Sequence, residues 1–124
     1  MGWCGIRGAT SVERNEEVAI LEATRRLLDD MRTENDIPVE RIISVIFTVT
    51  PDLNAVYPAR AAREIGWART PLLCTSDMDV PGSLPKCIRV LMHAQVDRSD
   101  DEVRHVYHGK AVALRPDWHS KETP

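Results

Sequence analysis

Arginine is the residue type that stands out of place in this chain. In "KCIRVLMHAQV" (86–96), Arg89 sits between Ile88 and Val90, inside a run that otherwise reads as the middle of a β-strand. Burying an unpaired guanidinium is costly, so Arg89 either meets solvent or receives an anion. Period-two alternation puts Cys87, Arg89, Leu91 and His93 on one face, and Ile88, Val90, Met92 and Ala94 on the other. The second face is core throughout, which leaves Arg89 on the face the main core does not claim. Arg7 repeats the pattern in "GIRGAT", between Gly5 and Gly8, where glycine permits close approach of a backbone or a ligand. Arg115 ends a run in "ALRPD", and Arg60 and Arg63 lie three apart on a short predicted helix, hence on one face. Guanidinium binds carboxylate bidentately and stays charged. Arginines so placed suit a small molecule with several carboxylates; a solvated face or structural ion pairs would use the same residues.

Other reactive side chains are less telling. Tyr107 in "RHVYHG" can donate to the same anion or serve as a packed strand aromatic. Cys74 in "LLCTSD" is a nucleophile by type, but no base lies near it in sequence, and a buried small thiol is the simpler account. Asp77 and Asp79 in "SDMD" suit general bases or, more commonly, loop caps. The four histidines, His93, His105, His108 and His119, include one HxxH but complete no zinc set, and no metal or cofactor is expected. No phosphate loop, GxGxxG or GxSxG occurs.

The elements that must position these residues follow from periodicity. "GWCGIRGAT" reads as an N-terminal strand. Asn15 is the predicted N-cap of a long amphipathic helix running to about Asn35, with Ile20, Ala23, Leu27 and Met31 as its apolar stripe, flanked by Leu21 and Leu28. After a short turn at Pro38, the β-branched "RIISVIFTVT" is the clearest strand. Pro58 opens a short helix, "PARAAREI", that Gly66 stops. "TPLLCT" and "KCIRVLMHAQV" are strands joined by a Pro- and Gly-containing loop, and "DRSDDEV" is a turn or short helix. A final strand is predicted over Lys110–Leu114, with a polar tail from Arg115 expected to be mobile. The outcome is an α+β chain: a mixed sheet of about five strands with helices on one face. The other face has no obvious cover, so self-association is expected.

A length of 124 residues suits a single domain, 1–124. A net charge of −3 argues against nucleic acid or an anionic membrane as partner. With no membrane-length apolar run and no signal-peptide pattern, the expected compartment is the cytoplasm, where the three cysteines, Cys4, Cys74 and Cys87, stay as free thiols.

Taken together, "GIRGAT", "TPDLNAVYPARAARE", "DMDVPGSLPKCIRVLM" and "RHVYHGKAVALRPD" resemble the small monofunctional chorismate mutases of the AroH class, from Gly5 to Asp117. The order and spacing of these segments carry the resemblance. It implies a homotrimer of the mixed-sheet, pseudo α/β-barrel type, with active sites between subunits that convert chorismate to prephenate. It implies that Arg7, Arg89 and Tyr107 bind the substrate's carboxylates and ether oxygen, and that Cys74 and Asp77 bind its ring hydroxyl. Tyr57, Ala59, Arg60 and Arg63 correspond to a segment supplied by the adjacent subunit; Leu72, Leu73, Leu114 and Arg115 correspond to positions lining or closing the cleft. Asp77 stands where Glu is usual, Tyr57 where Phe is, and Arg60 where Lys is; the segment around Gly66 is one residue shorter than in some relatives. The rearrangement is pericyclic and needs no nucleophile or proton transfer, which fits the lack of an acid–base pair. Two other readings share these residues: a non-catalytic trimeric dicarboxylate-binding module that regulates a partner, and a thiol- or imine-processing trimer centred on Cys74.

Overall fold

The computed structural model describes residues 2–99 and 101–114. Along the chain run β1 (Cys4–Ser11), α1 (Glu17–Glu34), a 3-10 turn (Val39–Arg41), β2 (Ile42–Val49), α2 (Ala59–Glu64), β3 (Leu72–Ser76), β4 (Cys87–Ala94), β5 (Val106–Tyr107) and a second 3-10 turn (Gly109–Leu114). The strands form one mixed sheet in the order β3-β2-β4-β1-β5. β4 lies between β2 and β1 and runs antiparallel to both, while the outer pairs β2–β3 and β1–β5 are parallel.

The alternation read from β4 governs both layers. Ile88, Val90, Met92 and Ala94 are buried on the helix side, with Val45 and Phe47 of β2 and Ile6 of β1 beside them. The apolar stripe of α1 closes that side: Ile20, Ala23, Leu27, Leu28 and Met31 are all buried. Each large side chain so buried contributes about 1.5–3 kcal/mol. Gly8 lets α1 come this close, since a Cβ there would overlap the Met31 sulfur and lie 3.2 Å from Leu27 Cδ1. The glycine next to Arg7 therefore serves helix packing, on the face opposite the arginine, rather than the approach of a ligand. Pro58 opens α2, and Gly66, at φ +95°, ends it as the composition predicts.

The expectations need correction at three points. The final strand over Lys110–Leu114 is a 3-10 turn, and the fifth strand is instead Val106–Tyr107. Gly109, at φ +58°, turns the chain, and the Lys110 N–H is taken by Ser11 Oγ at 2.9 Å, which draws this segment out of the sheet. Asn15 does not cap α1. Glu16 holds the cap position without a side-chain bond, and Asn15 Oδ1 instead accepts the N–H groups of Asn54 and Ala55, both at 3.0 Å. The second sheet face is partly covered after all. The turn packs Ala111, with Val112, Leu114 and Leu84, over Ala9, Cys87 and Tyr107. The rest of that face is open, and Leu73 and Leu91 are 61% and 36% exposed on it. Arg115 and the polar tail lie outside the described residues. Among the described residues, no helix is long and apolar enough to cross a membrane.

Candidate active site

One row across the open face organises the chemistry. The pairings Thr75–Thr48, Thr48–Arg89, Arg89–Ala9 and Ala9–Tyr107 run through all five strands. Ala9, between Arg89 and Tyr107 in that row, is buried under the Ala111 turn. Arg7 stands two residues before Ala9 on the same face, roughly 7 Å away along the strand. β1, β4 and β5 thus bring Arg7, Arg89 and Tyr107 together from sequence separations that no local pattern links.

Arg89 is not left loose. Its Nε donates to Asp77 Oδ2 at 2.7 Å, and the Thr48 hydroxyl donates to the same oxygen at 3.3 Å. Asp77 Oδ1 accepts the Met78 N–H at 2.9 Å, and the Asp77 N–H goes to the Val49 carbonyl at 2.8 Å. Burial pushes the Asp77 carboxyl up, but the Arg89 hydrogen bond and charge, the Met78 N–H and the Thr48 hydroxyl outweigh it and hold the group below its ordinary range. The same bond to Asp77 raises the Arg89 pKa against the opposing effect of burial, so Arg89 is a fixed cation. Among the described residues the Arg89 contact to a carboxylate runs through Nε, which leaves the two Nη groups of the fork as donors for an anion. A cavity of about 40 Å³ adjoins the pair, lined by Asp77, Arg89, Ser83, Leu84 and Leu114. Thr48 escaped the sequence reading because it looks like an ordinary strand residue.

A second set of residues gathers elsewhere. Tyr57, Arg60, Arg63 and Cys74 line a cleft of about 620 Å³, together with Glu17 and Asn54; that is the size of a small-molecule site. Arg60 is held by Glu17 at 2.7 Å and by Glu64 at 3.1 Å. Ala59 is buried at the start of α2, its backbone near the Cys74 thiol. Burial raises the Cys74 pKa, and the Ala59 backbone and the Arg63 charge only partly offset it. A thiol in this state is a weak nucleophile. Leu72 packs against the core, while Leu73 points out of the open face.

These two sets do not meet within one chain. Cys74 pairs with Phe47, whose side chain is in the helix-side core, whereas Arg89 pairs with Thr48 on the other face. Cys74 thus faces the helix side of the edge strand β3 and Arg89 the open face of β4, and the cleft reaches the row only at Thr75. The three histidines among the described residues each have a separate partner. His105 Nδ1 accepts the Arg7 N–H at 3.0 Å, His108 Nε2 meets Asp30 at 2.8 Å, and His93 Nδ1 meets the Ser44 hydroxyl at 3.1 Å.

A mixed five-stranded sheet that gathers arginines on its open face, with its carboxylate committed to one of them, defines a small α+β protein fitted to an anionic ligand. The sequence matches the family described as chorismate mutase type I over residues 3–118. The chorismate mutase AroH of Bacillus subtilis (strain 168) is 50% identical over 114 residues, covering 91% of this chain and 90% of that protein. The chorismate mutase AroH of Thermus thermophilus is 51% identical over 119 residues, covering 95% and 98%. A solved chorismate mutase from Clostridium thermocellum superposes with a TM-score of 0.86 at 48% identity, over 87% of this chain and 96% of that one. The chain belongs to the type I chorismate mutase family. It is accordingly an isomerase of aromatic amino-acid biosynthesis, acting on chorismate to give prephenate.

Proposed function

We propose that the rearrangement takes place in a composite cleft, with the Arg7–Arg89–Tyr107 face of one copy meeting the Tyr57–Arg60–Arg63–Cys74 cleft of the next, in a homotrimer. The opposed faces of Arg89 and Cys74 support the need for a second copy. The exposed Leu73 and Leu91 on the open face give the copies an apolar surface to bury. The number three comes from the resemblance to the family. Three free thiols fit the reducing cytoplasm as the compartment.

In the rearrangement one C–O bond breaks as one C–C bond forms, within one molecule. Negative charge grows on the ether oxygen, and the ring becomes relatively positive. The carrying observation is Arg89, a cation already held through Nε by Asp77. Its Nη donors meet the ether oxygen without reorganising at the moment of reaction. Arg7 and Tyr107 grip carboxylate and fold the enolpyruvyl arm over the ring, a contribution of positioning. Asp77 differs from the role expected of it. With both oxygens already accepting hydrogen bonds, it acts first on Arg89, and the ring hydroxyl falls to Cys74 and the remaining acceptor capacity of Asp77.

The test is chorismate consumption by the purified chain and by Arg89→Lys, which keeps the charge but loses the fork. Turnover in the variant is expected to fall about 10²–10³-fold; near-normal turnover removes Arg89 from the centre of the mechanism. Mixing Arg89→Ala and Arg63→Ala chains is expected to restore part of the activity, because some sites then combine two intact halves. No recovery on mixing refutes the shared cleft.

A further inference from the structure

β5 is only two residues long and pairs with β1 at Gly8–Val106 and Ala9–Tyr107. The ladder nevertheless continues past its N-terminal end through a side chain, since His105 Nδ1 accepts the Arg7 N–H at 3.0 Å. At the other end, the His108 N–H goes to the Ala9 carbonyl at 2.8 Å. One residue before His105, Asn35 holds the Arg104 backbone from both sides. Its Oδ1 accepts the Arg104 N–H, and its Nδ2 donates to the Arg104 carbonyl, each at 2.8 Å. The chain from Arg104 to His108 is thus anchored at each step, and the imidazole is the link that ties it to the residue bearing the Arg7 side chain.

We propose that His105 is a positioning residue for the reaction: by accepting the Arg7 main-chain N–H on Nδ1, it sets the spacing between Arg7 and Tyr107, the two side chains that grip carboxylate. This rests on the reading of Arg7 and Tyr107 given above. An imidazole nitrogen that accepts carries no proton, so the neutral ring holds its hydrogen on Nε2. Main-chain bonds hold β5 at Ala9, and the ring adds the bond at the Arg7 end of this two-residue strand. Arg7 binds carboxylate in the ground state and the transition state alike, so its displacement raises KM more than it lowers kcat. A purely structural role would do the reverse, lowering the amount of active protein and hence the apparent kcat, with KM unchanged.

The experiment combines kinetics with ¹⁵N spectroscopy of the full-length protein. In the wild type at pH 7.5, His105 is expected as the Nε2–H tautomer with Nδ1 accepting. His105→Leu is expected to raise KM for chorismate about tenfold, the worth of one hydrogen bond, and to shift the Arg7 amide resonance upfield. His105→Asn, whose Oδ1 replaces Nδ1 as acceptor, is expected to bring KM back to within about threefold. A wild-type ring protonated on Nδ1, or an unchanged KM in His105→Leu, overturns the proposal. If the leucine variant does not fold, His105→Asn decides: a near-wild-type KM supports the role, and a tenfold rise with the acceptor retained refutes it. A wild type that does not consume chorismate refutes the functional reading and this role with it, while the tautomer and the Arg7 amide still report whether the contact exists.

Discussion

Replacing Asp77 by Asn removes the carboxylate on which Arg89 rests. The bond at issue is a 2.7 Å contact between Nε and Oδ2, with the Arg89 side chain 40% exposed and that of Asp77 12% exposed. A hydrogen bond to a charged partner contributes about 1.5–3 kcal/mol, and exposure on the arginine side screens part of it. A value of about 1–2 kcal/mol is therefore expected for the pair. Lost as pre-orientation of the guanidinium, that becomes a fall in kcat of about 5–30-fold. The amide can still accept from Nε, but without charge, so the loss is smaller than for Arg89→Lys. The assay is initial-rate consumption of chorismate, beside a urea titration of the same samples. Acid adds a second readout. The Asp77 carboxyl titrates below its ordinary value of 3.8 in the folded state, so its stabilisation is fully present above about pH 4 and lost as the pH falls through the lower, folded value. The urea midpoint of the wild type should therefore drop more steeply below pH 4 than that of Asp77→Asn. An Asp77→Asn enzyme with kcat within twofold of wild type would show that the ion pair holds the loop but does not prepare Arg89, and the argument would fail.

Gly8→Ala places a methyl against the Met31 sulfur and Leu27; a loss of about 1–3 kcal/mol is expected, read as a Tm lower by several degrees, and an unchanged Tm would mean α1 is not packed this closely. Cys87 is 2% exposed and its thiol is pushed up to about 11, chiefly by burial. Roughly one molecule in a thousand carries the thiolate at pH 8, so iodoacetamide should modify Cys87 only after denaturation, and mass spectrometry showing it labelled as fast as Cys74 in the folded protein would contradict its placement.

The parts of this fold with long, clean periods were legible in the sequence. The stripe Ile20–Ala23–Leu27–Met31 gave α1, the alternation in 87–94 assigned Arg89 to its face, and Pro58 with Gly66 bounded α2. What escaped were features set by distant partners. "KAVAL" is a lysine followed by four small or apolar residues, a length at which strand and helical turn look alike; Gly109 and the bond from Lys110 to Ser11 decide it. Asn15 has the chemistry of a cap, but loop residues 39 and 40 positions away claim its oxygen. The site was half legible for the same reason. A misplaced charge such as Arg89 is visible in one strand, while the carboxylate that holds it is 12 residues off across a loop, and the histidine behind Arg7 is 98 residues off. Relationships of that kind exist only once the sheet order is known.

The sheet that parts Cys74 from Arg89 carries a consequence for how such an enzyme behaves when scarce. In the composite cleft proposed above, Cys74 and Arg89 point to opposite faces of one sheet, so a solitary chain would hold the two halves of the site apart. Specific activity should therefore fall off on dilution more sharply than protein content does, and a copy defective in one half would disable only the site that half serves while its other half still completes a neighbour's.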